Sequence, residues 1–232
     1  MPNREAALAR MDGPKPAVNL RDRVLERVRS DIVSGRSGPG AMYSVPSLAS
    51  ELGVSTTPVR EALLELSNRG MLVPMRNRGF RVQASSIEDL ENLFEMRELL
   101  ERFAVVKVAK NGLEDAEELT ALADAVAAAV KARDVRDYLE ADRAFHEALV
   151  SRAGNPRLTK MIMALRDDMR LFGIDSAAGE ERQHASVKEH YRLIDLAAKG
   201  DVRNIASLIT THIMEWQPLF RKALMSQAAR PL

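Results

Sequence analysis

Asp142 and His146 stand four residues apart in a stretch of helical pattern, so both side chains project from one face, one turn apart. A carboxylate and an imidazole at that spacing can grip one metal ion. Three or four ligands are needed, and His190 and His212 lie on two further helical segments, each able to point inward. An aspartate with three histidines offers oxygen and nitrogen donors suited to Zn²⁺, Ni²⁺ or Mn²⁺. The alternative is that each histidine is an ordinary polar surface residue or a satisfied core residue. A second set of chemistry-bearing residues lies near the other end of the chain. Ser55, Thr56, Thr57 and Arg60 open a short helical segment, and Arg76-Asn77-Arg78-Gly79 forms a basic turn. Small hydroxyls and an arginine at a helix start suit contacts to phosphates and base edges.

The elements that carry these residues divide the chain in two. Residues 1–84 hold 13 Lys+Arg and 8 Asp+Glu, a net of +5, and residues 85–232 hold 21 and 25, a net of −4. The whole-chain charge of +1 therefore hides two regions of opposite sign. There is no cysteine, which excludes disulfides, thiolate metal sites and a cysteine nucleophile. No apolar run is long enough to span a membrane, and charges near the N-terminus are followed by no apolar stretch. The expectation is a cytoplasmic protein.

Residues 1–17 lack periodicity and read as a mobile tail. Helical spacing from Leu20 to Val33 gives a first helix, ended by Gly35 and the Ser37-Gly38-Pro39-Gly40 cluster. Ser44 then caps a short helix that closes at Gly53. Ser55 caps a third helix, with Pro58 in its first turn, running to about Arg69. Two short helices joined by a glycine turn are a helix-turn-helix unit. Residues 71–74 and 79–82 read as two strands, and the basic turn between them as a wing.

From Ser85-Ser86 onward the pattern is helical throughout. Six helices are expected, at roughly 87–111, 114–132, 135–153, 155–173, 180–199 and 202–226. The breaks fall at Asn111-Gly112, Asp134, Gly154-Asn155-Pro156, Gly173, Gly179 and Gly200-Asp201. The fold class is thus mainly α: an N-terminal winged helix-turn-helix with a small β-hairpin wing at 18–84, and a C-terminal all-α antiparallel bundle at 85–232.

The stretch PGAMYSVPSLASELGVSTTPVREALLELSNRGML, followed by RNRGFRV, resembles the GntR family of bacterial transcription regulators. The resemblance covers about residues 20–83. It implies DNA contacts by Ser44, Ser55, Thr56, Thr57, Arg60, Arg78 and Gly79. Two positions depart from the family pattern: Thr56 stands where an arginine is usual, and Val45-Pro46 where a glutamate-arginine pair is common. Residues 87–220 are similar to the FCD ligand-binding domain of the FadR branch, through MRELLE at 96–101, Asp142-x-x-x-His146 with Ala153-Gly154-Asn155, Glu189-His190, Gly200-Asp201 and His212. That likeness implies that Asp142, His146, His190 and His212 are the metal ligands. It also implies an effector pocket served by Arg97, Asn155 and Arg166; the alternative for Arg97 is a pairing with Glu101, one turn on, or with an acid on another helix. The short span between the wing and Arg97 fits the six-helix VanR-like subgroup and speaks against acyl-CoA as ligand. His184 has no counterpart and reads as a surface residue. The function implied is a homodimeric DNA-binding regulator, most simply a repressor, that meets a palindromic operator and answers to a small organic acid. Two alternatives stand beside it: a metal-dependent hydrolase on the bundle, and a regulator whose metal is purely structural.

Overall fold

The computed structural model describes residues 19–33, 35–84, 86–113, 115–169, 174 and 176–228. The expected tail at 1–17, Ser85 and the break at Gly173 lie outside them. The chain is mainly helical, with one small sheet.

In the N-terminal half, α1 (Leu20–Val33), α2 (Val45–Leu52) and α3 (Thr56–Asn68) surround a core of their own. Val59, Ala62, Leu63 and Leu66 fall on one face of α3 and are fully buried, so α3 packs on α1 by its apolar stripe. Ser44 caps α2 by accepting a hydrogen bond from the Ser47 amide, and Gly53 ends it in the left-handed conformation. The strands are β1 (Met42–Tyr43), β2 (Leu72–Met75) and β3 (Gly79–Val82). Their order is β1-β3-β2, with Tyr43 opposite Phe80 and Val73 opposite Arg81. The sheet therefore has three strands rather than the expected two, because Met42-Tyr43 runs back along β3.

Gly79 is fixed by that third strand. Its φ is +105°, and a Cβ there would lie 2.1 Å from the Tyr43 carbonyl oxygen. Only glycine relieves both constraints.

The C-terminal half has its own core, built from α4 (Ile87–Asn111), α5 (Glu117–Ala132), α6 (Val135–Ser151), α7 (Pro156–Asp168), α8 (Ala177–Ala198), α9 (Val202–Met214) and α10 (Gln217–Ala228). Ser86 and Asp89 form a reciprocal cap at the start of α4. Helix α4 lies along α9, and α5 against α6 and α8.

Three boundaries correct the six-helix expectation. The helix expected at 155–173 ends at Asp168, where Met169 turns extended. The segment 202–226 is two helices, because Pro218 cannot donate the amide that would continue α9 and its ring opposes the carbonyl four residues back. The described bundle thus has seven helices, the added one coming from this split and not from an insertion ahead of Arg97. Gly179 does not break a helix: it sits in the first turn of α8, where its amide donates to the Ser176 hydroxyl. No helix among the described residues is long and apolar enough to cross a membrane.

Candidate metal centre and nucleic-acid interface

Three helices bring the histidines together. His146 comes from α6, His190 from α8 and His212 from α9, and all three side chains are buried. Their apolar neighbours put them there: Phe145 stacks on the His190 ring at 4.2 Å, and Leu149, Leu193, Ile209 and Ile213 fill the same helix faces. The Nε2 atoms of His146 and His190 lie 3.3 Å apart, and those of His146 and His212 lie 3.1 Å apart. Ligands held about 2.0–2.1 Å from one tetrahedral ion are spaced by about 3.3 Å. His146 Nε2 already sits at that spacing from each of the other two, and the three residues form a group able to hold a metal ion, their ligand atoms all within 4.8 Å of one another. Asp142 turns Oδ1 toward them, 3.4 Å from His190 Nε2 and 3.7 Å from His146 Nε2.

The surrounding polar groups favour lone pairs at the centre. His212 Nδ1 lies 2.6 Å from Glu189 Oε2, so the imidazole donates outward and leaves Nε2 free to ligate. Arg182 grips the same carboxylate through both terminal nitrogens, at 3.0 and 2.6 Å, and donates to the His212 carbonyl. Burial opposes ionisation of Glu189, but the His212 and Arg182 hydrogen bonds outweigh it and hold the carboxyl down at about 2. Burial pushes the His190 imidazole down to about 3. Burial, with the Arg166 charge, holds His146 well below its usual range. Both imidazoles are thus neutral at physiological pH, the form that binds metals. The Nδ1 atoms of His146 and His190 are buried with no hydrogen-bond partner among the described residues. An ion at the centre would take the Nε2 lone pair of each ring, which needs the proton on Nδ1, and Glu189 already holds His212 in that form. The donor set therefore fits a divalent transition ion.

The arginines read from the sequence are both at this centre, already paired. Arg97 donates to Glu101 Oε1 at 2.8 Å and to the Met169 sulfur. Arg166 donates to Glu101 Oε2 at 2.9 Å and to Asp142 Oδ2 at 2.7 Å. Burial would raise the Asp142 carboxyl, but Arg166 keeps it below its usual value. Asn155 is elsewhere: it is exposed and spends its side chain capping α7, accepting from the Leu158 amide. His184 is exposed on α8. Sequence reading missed Glu189 and Arg182 as parts of the site, and it named Glu101 only as the alternative partner of Arg97, the pairing seen here. Glu189 was visible only as the neighbour of His190.

Most of the other set of residues faces outward. Ser55, Thr56, Thr57 and Arg60 are exposed on the first turn of α3. Ser55 occupies the N-cap position but makes no side-chain capping bond, which leaves its hydroxyl free. Arg78 is exposed in the turn between β2 and β3, beside Asn77 in the left-handed conformation. Ser44 is half-buried at the start of α2, and Gly79 opens β3 beneath the turn.

A helix-turn-helix with an exposed polar first turn, joined to a helical domain with a buried three-histidine cluster, is the architecture of a DNA-binding regulator. The family models agree: residues 20–82 match "Bacterial regulatory proteins, gntR family" and residues 92–215 match the "FCD domain". The chain belongs to the GntR family of bacterial DNA-binding transcriptional regulators, with an FCD C-terminal domain. It is similar to the HTH-type transcriptional regulator BphR of Paraburkholderia xenovorans (strain LB400), 28% identical over 210 residues and covering 86% of each chain. It is similar also to a probable D-xylose utilization operon transcriptional repressor of Paenarthrobacter nicotinovorans, 28% identical over 188 residues, covering 81% of this chain and 83% of that one. Among solved structures it resembles E. coli McbR/YncC with a TM-score of 0.75 at 25% identity, covering 91% of this chain and all of the other.

Proposed function

We propose that this chain is a metabolite-responsive repressor whose operator affinity is set by a small organic acid bound at a metal centre of Asp142, His146, His190 and His212. Residues 18–84 are the DNA-reading domain and residues 85–232 the sensor. A homodimer presents two α3 helices to a palindromic operator, in half-sites about one helical turn of DNA apart. Ser55, Thr56, Thr57 and Arg60 reach base edges and phosphates, Arg78 at the wing meets the backbone, and Ser44 flanks them.

The observation that carries this reading is the convergence of three buried histidines, with the Nε2 atoms of His190 and His212 each at ligand spacing from that of His146. Charge supports the effector class. Arg97 and Arg166 are balanced by Glu101 and Asp142, and the neutral imidazoles of His146 and His190 add nothing. A bound divalent ion supplies an uncompensated positive charge and a Lewis-acidic anchor for a carboxylate. Arg166, and Arg97 behind it, are the guanidiniums able to take that carboxylate's second oxygen. Asn155 enters through its cap, which fixes the start of the helix that carries Arg166.

Fluorescence anisotropy with the promoter region beside its own gene tests the reader, where salt-sensitive, sequence-preferring binding is expected and its absence refutes the reading. A thermal-shift screen of small organic acids on zinc-loaded protein tests the sensor, since a ligand of the folded state must raise its stability.

The second reading, a purely structural metal, draws on the fact that the ligands come from three different helices, which an ion would staple together. Replacing His190 with alanine separates the two. Lost stability with an intact acid response favours the staple, and a lost response in a folded protein favours direct contact with the effector. A hydrolase would leave the DNA-reading half without a role.

A further inference from the structure

Helix α7 ends in three consecutive charged residues, and each faces a different part of the molecule. Arg166 bonds Asp142 on α6 and Glu101 on α4, inside the histidine centre. The Asp167 side chain is held by Arg143, which donates from Nε at 2.8 Å and Nη2 at 3.2 Å. Arg143 follows Asp142 on α6, so two adjacent α6 residues grip two adjacent α7 residues.

The far side of the same turn belongs to the DNA-reading half. The Asp167 carbonyl, left without a helical partner at the end of α7, accepts a 2.7 Å hydrogen bond from Arg29 of α1. Asp168 pairs with Arg69, the residue that ends recognition helix α3, at 3.6 Å. These contacts are not embedded in a continuous core. The two apolar clusters are separate, and a cavity of about 260 Å³ lies between the halves, lined by Arg69, Met71, Gln83, Leu90, Asp168 and Phe220. Polar bonds to one helical turn thus bridge the halves beside open space.

We infer that the last turn of α7 couples the two domains, with Arg29 and Arg69 as positioning residues that set the placement of α1 and α3 according to the state of the histidine centre. This rests on the reading of the bundle as a sensor. A shift of α6, which carries Asp142 and His146, moves Arg166 through Asp142 and Asp167 through Arg143. The displaced turn carries Arg29 and Arg69 with it, and with them the helix that meets DNA. A ligand can act in this way only by preferring one of the two arrangements.

Amide hydrogen exchange on the full-length, metal-free chain tests the coupling. Arg166→Gln cuts the link inside the bundle. Arg143→Gln cuts it at a half-exposed position and serves where loss of the buried arginine prevents folding. Both are expected to raise exchange at residues 29–33 and 66–70, in the other domain, by roughly tenfold. Arg136→Gln, on α6 but paired only with exposed Glu140, leaves those amides unchanged. Faster exchange confined to α6 and α7 in the folded variants overturns the inference. Zinc stoichiometry, measured separately, judges the metal centre: failure to bind zinc refutes that reading and leaves the exchange result to decide the coupling.

Discussion

In the N-terminal half the residues assigned to binding stand outside the core: Ser55, Thr56, Thr57, Arg60 and Arg78 are exposed, and the apolar side of α3 is spent entirely on packing. In the C-terminal half the order is reversed. Arg97, Glu101, His146, His190 and His212 lie inside the bundle, among the residues that hold it together. A reader of DNA needs its polar groups in water until the partner arrives, and their removal leaves the fold intact. A sensor that excludes water needs its charges buried, so each must be balanced by another, and recognition and stability become one problem.

The largest effect that separates the halves is expected at Glu101. Its carboxylate serves Arg97 and Arg166 at once, so Glu101→Ala strands buried Arg97, leaves Arg166 with Asp142 alone and lowers stability by about 3–5 kcal/mol, read by calorimetry or denaturant titration. Next comes His190→Ala. Zinc at a thousandfold excess over its dissociation constant stabilises the native chain by about 4 kcal/mol, and the variant is expected to lose that gain. A zinc-induced rise in the melting temperature of the variant equal to that of the parent excludes His190 as a ligand.

Arg60→Ala probes the other half. It is expected to cost about 1–3 kcal/mol in operator affinity if Arg60 reads a base, or to reduce the salt slope by about 1 if it meets a phosphate, with the melting temperature unmoved. A stability loss without an affinity loss breaks the comparison, because it makes an exposed residue structural. Gly79→Ala is the exception built into this half. Strain at positive φ and the clash with the Tyr43 carbonyl are expected to destabilise the wing by about 1–3 kcal/mol, seen as faster amide exchange in β1 and β3.

The pH effect near neutrality is the smallest. His190 titrates near 3 in the fold against 6.5 for an unburied imidazole, so the unfolded chain takes up the proton first as pH falls. His146 is shifted in the same direction. The metal-free protein should therefore keep its stability above 6.5 and lose it progressively as pH drops toward 3. Glu189 adds a further loss between 4.5 and about 2. Urea midpoints at pH 7.5 and 5.5 measure the first part, and a higher midpoint at 5.5 contradicts the sign.

The contrast also explains what the sequence revealed. The helix-turn-helix was legible because its signals are local: Ser44 and Ser55 before helical runs, Gly53 at a cap, Pro58 in a first turn. The strand at Met42-Tyr43 was not, since two residues carry no periodicity and form a strand only by lying beside β3. Its trace was Gly79, read as a wing glycine when the Tyr43 carbonyl is what excludes a side chain there. Pro218 did announce the break between α9 and α10, and the apolar pattern running through it concealed it. In the bundle, Asp142 and His146 were legible because four residues make one turn. Whether His190 and His212 would meet them depended on how three helices pack. Glu189 and Arg182, which orient His212 across 23 and 30 residues, have no signature in spacing at all.

Titration of Zn²⁺ into the metal-stripped full-length chain, followed by calorimetry, tests most directly whether the buried histidines form a metal centre. One ion per chain is expected, with release of heat that disappears in a folded His146→Ala variant. A native chain that takes up no ion, or a variant that binds it equally well, would contradict the assignment.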